Sequence, residues 1–153
     1  MKIFSLDEKL KEIREVFRET LPGVIAEINS ERTDFQITPI DGKDFYFNMS
    51  EAANAKVFAL IEGRPKLTKG MGGKYAEELS VNIFIGFETG NVKKEQATFT
   101  AYRYQAAILE TMRRCSERIS YSVTYDGCDT GSLSLGNKVL YGALCSFGMP
   151  VIY

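Results

Sequence analysis

The sequence predicts an α+β fold: a mainly antiparallel sheet of about four to six strands, packed by a long N-terminal helix and by a second long helix over about residues 94–115. Three observations predict it. Leu6, Leu10, Ile13, Phe17 and Leu21 recur at three- and four-residue steps, the spacing of one helical face. Leu79, Val81, Ile83, Ile85 and Phe87 alternate with Ser80, Asn82, Phe84 and Gly86, the period of a strand with one face on a core. Ala97, Ala101, Tyr104, Ile108, Met112 and Cys115 then form a second helical stripe. At 153 residues the chain suits one domain, 1–153, and no repeat, low-complexity tract or linker divides it.

Glu8, Lys11, Glu12, Glu15 and Arg18 occupy the remaining faces of the first helix. Leu21-Pro22-Gly23 marks a break, because an interior proline removes a helical hydrogen bond, and a short second helix covers Val24, Ile25 and Ile28. After a polar connection from Ser30 to Asp34 come "FQITPI" and "FYFNM". Asp41-Gly42 joins them as a tight hairpin, with Pro39 at an edge. "AKVFALIEG" and "ELSVNIFIGFE" read as neighbours in an antiparallel pair. In the second helix the small Ala97 and Ala101 permit close approach to a sheet, and Arg113 and Arg114 suit the negative C-terminal end of the helix dipole. Strands return with Tyr121, Val123 and Tyr125, then "SLSL", then the alternating run from Val139.

Composition narrows the chemistry. With 19 basic and 20 acidic side chains the net charge is -1, which gives no general attraction to nucleic acid or an anionic membrane. There is no histidine, so Ser-His and Cys-His catalysis are excluded. Cys115, Cys128 and Cys145 lack zinc-knuckle spacing and read as small core hydrophobes, although Cys128 and Cys145 are able to meet on paired strands. The charged start MKIFSLDEKLKEI does not read as a signal peptide, so the Asn48-Met49-Ser50 triplet is a chance match for glycosylation. The apolar run from Val139 to Tyr153 is too short to span a bilayer.

The stretch "GRPKLTKGMGGKYAEE", residues 63–78, carries four glycines and four lysines or arginines. A Walker loop would need glycine at Thr68 and a small hydroxyl side chain at Tyr75, and a dinucleotide loop would need glycine at Tyr75. It reads as a long basic connection between neighbouring strands, either functional or simply solvated. "YDGCDTG" brings Asp126 and Asp129 together but lacks the ligand series of a calcium loop, so it reads as a turn. Glu77 and Glu78 point to opposite faces of a strand and form no carboxylate pair, and Glu88 has no evident partner. The expectation is therefore no catalytic residue, no metal, no cofactor and no enzyme.

The opening helix with "LPGVIAEINSE", the strand pair above, the helix "YRYQAAILETM" with its "RYQAAI" at Arg103–Ile108, and the closing strands resemble the tail terminator, or tail-to-head joining, proteins of long-tailed bacteriophages. The resemblance runs over nearly the whole chain in element order and spacing, and its motifs are soft. It implies a virion structural protein, assembled in the host bacterial cytoplasm, where Cys128 and Cys145 would stay reduced, that forms a ring, usually a hexamer, at the head-proximal end of the tail. Such a ring ends growth of the tail tube and docks on the head-completion complex. Its partners are copies of itself, tail-tube protein and a neck protein, with transient non-specific passage of DNA through the lumen and no membrane. In such a ring Arg64, Lys66, Lys69 and Lys74 line the lumen or meet acidic surfaces of the tube. Phe99 and Tyr102 lie off the second helix's stripe, so they pack either under the N-terminal helix or against a neighbouring subunit. The apolar end "GALCSFGMPVIY" adds a strand to its own sheet or to a neighbour's edge, the first being favoured. Another neck component, or a small-molecule-binding or enzymatic α+β domain with a pocket beside Lys74 or Asp126, is the alternative.

Overall fold

The computed structural model describes residues 5–52, 54–69, 75–120, 122–135 and 137–152. Helix α1 runs over Leu6–Ser30 and is followed by the two-residue strand β1, Phe45–Tyr46, and a short 3-10 helix at Met49–Ala52. Strands β2, Val57–Lys69, and β3, Tyr75–Glu88, lead to helix α2, Lys94–Ile119. Strands β4, Thr124–Leu135, and β5, Lys138–Ile152, follow. The five strands form one sheet in the order β1-β2-β3-β5-β4, antiparallel throughout except for the parallel β1–β2 pair. The α+β expectation holds, and α2 exceeds its expected end by one turn, to Ile119.

Alternation decides which face each strand buries. Leu79, Val81, Ile83, Ile85 and Phe87 stand opposite Met149, Phe147, Cys145, Ala143 and Tyr141, and this row faces the helices. The expected helical stripes complete the layer: Ile13, Phe17 and Leu21 from α1, and Ala97, Ala101, Tyr104, Ile108, Met112 and Cys115 from α2, are all buried. Each large apolar side chain sealed here contributes about 1.5–3 kcal/mol. On the opposite face Phe58, Leu60 and Leu140 form a smaller cluster with Ala52, covered by the 3-10 turn. The closing apolar segment joins its own sheet, with β5 held between β3 and β4.

Three local expectations are overturned. Pro22 does not end the first helix, which continues to Ser30. Pro22 faces solvent while Leu21, Val24 and Ile25 are buried, and packing of that face outweighs one missing hydrogen bond. Asp41-Gly42 does make a turn, with Asp44 N–H on the Asp41 carbonyl at 2.9 Å, but no hairpin surrounds it. The backbone of residues 35–38 bonds to side chains instead: Asn29 takes both polar groups of Ile37 at 2.9 Å, the Tyr104 hydroxyl donates to Thr38 O at 2.6 Å, and Arg103 donates to Phe35 O at 2.6 Å. "FYFNM" supplies the two-residue β1, which runs parallel to β2, and the first residue of the 3-10 helix. Finally, "YDGCDTG" is not a turn but part of β4, with a bulge between Tyr125 and Gly127 that leaves Asp126 without a cross-strand partner.

Candidate interaction surfaces

Helix α2 has two apolar faces, and among the described residues one is packed by the rest of the chain while the other stays largely exposed. Beyond the buried stripe, Phe99 is 45% exposed and Tyr102 50% exposed, with Val92 44% exposed just ahead of the helix. The contacts show why α1 leaves them open. Its described hydrogen bonds and ion pairs to α2 fall on the C-terminal half of that helix: the Cys115 thiol donates to Thr20 Oγ1 at 3.2 Å, Arg118 meets Glu19 at 3.1 Å, Arg114 meets Glu27, and the Lys9 ammonium caps the helix at Ile119 O. The packing of Phe99 and Tyr102 under α1, one of the two expected arrangements, is therefore not what the chain adopts. Further along the same face Glu110 binds Arg113 and Arg114, whose guanidinium groups hold its carboxyl down at about 2. The outer face of α2 is thus apolar in its first half and charged in its second.

The basic stretch 63–78 is not a loop of 16 residues. Strand pairing continues as far as Lys69 opposite Tyr75, so most of it is a β-hairpin arm. Alternation places exposed Arg64 and Lys66 together on the face opposite the helices, beside Ser80 and Glu78 on β3. Lys69 ends β2 with its side chain outside the described residues, and Lys74 lies outside them altogether. Lys66 shares a polar depression of about 220 Å³ with Glu78, Ser80, Thr124 and Asp126, so it already has acidic neighbours.

Sequence reasoning missed two features. One is Arg103, only 8% exposed, which grips Asp34 through two bonds of 2.9 and 2.7 Å and stacks over the Phe35 ring at 3.7 Å. Arg103 begins a buried arc with Ala107 and Thr111 beside the main stripe, and that four-residue spacing was the available signal. The other is a shallow cavity of about 320 Å³ on the open face of the sheet, lined by Met49, Leu60, Phe84, Leu133 and Leu144 with Glu62 and Asp129 among its polar residues. Gly142 at its floor lets the Phe84 ring approach the backbone closely, since a Cβ there would sit 2.4 Å from the ring. Nothing in one strand's alternation reveals a depression built from four strands.

Among the described residues no cluster of three or more His, Cys, Asp or Glu side chains is placed to hold a metal ion. No described helix is long and apolar enough to cross a membrane. Compared with known proteins, the chain matches no protein-family model and no curated protein.

Proposed function

We propose that this chain is a virion structural protein which forms a ring, a hexamer, at the head-proximal end of a long bacteriophage tail. There it stops growth of the tail tube and presents a docking surface to the head-completion complex. The observation that carries the reading is the uncovered apolar face of α2: Phe99 and Tyr102 are about half exposed on a helix whose opposite face is already packed. Aromatic side chains of this size, presented on a rigid element, are the residues that dominate subunit contacts. The reading also rests on the resemblance of the sequence to tail terminator proteins, which supplies the ring, the tube and the head-completion partner. In the proposed ring the hairpin arm with Arg64, Lys66 and Lys69 reaches toward tube protein or toward the DNA path, where weak contacts without base readout suit passage.

Light scattering over a concentration series, with images of any large species and with tail-tube protein added, tests this directly. Rings, or rings formed on tube protein, are expected. A strict monomer that ignores tube protein would overturn the proposal.

A second reading has one observation in its favour, the apolar cavity between Phe84, Leu144 and Leu133. Its volume of about 320 Å³ is at the small end of ligand-site sizes. On that reading the chain binds a small apolar ligand, and a ligand-dependent rise in melting temperature, lost when Leu144 is replaced by Asp, is the expected result.

A further inference from the structure

Cys128 and Cys145 stand directly opposite each other across β4 and β5, with their sulfurs 3.1 Å apart. Both are free thiols, Cys128 exposed and Cys145 buried. The ladder shows what kind of pair they are. Glu88 N–H bonds Lys56 O, so even-numbered residues of β3 direct their backbone groups to β2 and odd-numbered ones to β5. Ile83 and Cys145 are therefore a hydrogen-bonded pair between β3 and β5, and the backbone groups of Cys145 point away from β4. Across β4–β5, Cys128 and Cys145 thus occupy a non-hydrogen-bonded position, where facing Cα atoms lie about 4.5 Å apart, within the range that a disulfide bridges. The bulge after Tyr125 is what sets this phase: without its extra residue, Cys128 would face the other side of the sheet.

We propose that Cys128 and Cys145 form a cross-strand dithiol that low-molecular-weight disulfides oxidise to an intramolecular disulfide, stitching the edge strand β4 to β5. With glutathione disulfide, the exposed Cys128 thiolate attacks one sulfur of the oxidant and expels a glutathione thiolate. The Cys145 thiolate then attacks the Cys128 sulfur and expels the second. The protein dithiol loses two electrons and two protons, and one glutathione disulfide becomes two molecules of glutathione. The division of roles follows from exposure: burial, reinforced by the contact with Cys128, pushes the Cys145 thiol up, which suits it to resolve an adduct formed next to it rather than to attack first. Cys115 is an internal control, since it is buried in the core and its thiol is bonded to Thr20. The proposal is independent of the tail function.

The test is exposure of the native protein to glutathione disulfide, followed by alkylation of remaining thiols, intact mass and non-reducing electrophoresis. The expected product is a monomeric chain lighter by two hydrogens with Cys115 alone alkylated. It should melt at higher temperature than the reduced chain, because the bond closes a loop over residues 129–144. Cys128→Ser should keep both remaining thiols, and Cys145→Ala should stop at a lasting glutathione adduct on Cys128. Retention of all thiols by the wild-type chain, a persistent glutathione adduct on it, or a disulfide between two chains would each overturn the proposal.

Discussion

The side chain that most tightly ties the non-sheet segment to the body is Arg103. Its guanidinium satisfies Phe35 O and the Asp34 carboxylate while stacked on the Phe35 ring, all from a nearly buried position on α2. Arg103→Ala removes these bonds and leaves a carbonyl poorly satisfied, so chemical denaturation should show a loss of about 2–3 kcal/mol. Arg103→Lys should recover only part of it, because an ammonium has no planar fork. A loss under about 0.5 kcal/mol for the alanine variant, the size of an ordinary surface substitution, would refute the assigned role. Glu110 gives a second residue-level outcome, through pH. Arg113 and then Arg114 lower its folded pKa from 4.5 to about 2. A carboxyl that titrates lower when folded adds stability that is complete above the unfolded value and is lost as pH falls through the folded one. Stability should therefore decline between pH 4.5 and about 2, and Glu110→Gln should flatten that part of the profile, more so at low salt than at high. The sequence made Arg113 and Arg114 legible as helix-end cations, but not their shared acid, because Glu110 carries no signal distinguishing it from any solvated glutamate.

Among the elements, periodicity was most informative where one face is buried by many neighbours. Both long helices, the β2–β3 pair and the incorporation of the final segment follow from stripes and alternation that each span a dozen residues or more. Local punctuation was less informative, and for one reason. Pro22 and "YDGCDTG" are local preferences of about 1–3 kcal/mol, which tertiary packing outweighs, while Asp41-Gly42 keeps its turn but could not specify strands on either side of it. Gly23 makes this measurable. It sits inside α1, exposed, and a Cβ there meets nothing within 4 Å. Gly23→Ala should therefore stabilise the protein by about 0.5–1 kcal/mol in thermal or urea unfolding. If Leu21-Pro22-Gly23 were a true break between two helices, the glycine would be serving a connection and the same change would be neutral or destabilising.

At the scale of the whole molecule, the decisive fact is which apolar surface the chain fails to cover for itself. Two helices cannot blanket a five-stranded sheet and also shield each other completely. Here α1 crosses the C-terminal half of α2 and leaves Phe99, Tyr102 and Val92 open. The aromatic surplus was legible in the sequence as a second face on one helix. Which of two partners would cover it was not, because the crossing point of α1 depends on contacts such as Glu19–Arg118 that no single stripe encodes. If this face is a subunit contact, Phe99→Ser combined with Tyr102→Ser should abolish rings, or ring formation on tube protein, and leave the chain monomeric by light scattering. The same double variant should unfold within about 0.5 kcal/mol per substitution of the wild type, since exposed side chains contribute little to the fold of one chain. That pairing of outcomes separates an interface from a core. Loss of assembly accompanied by a collapse in stability would show the aromatics holding the monomer together. Undiminished assembly at full stability would move the subunit contact away from α2, leaving the β2–β3 arm with Arg64 and Lys66 as the next surface to test.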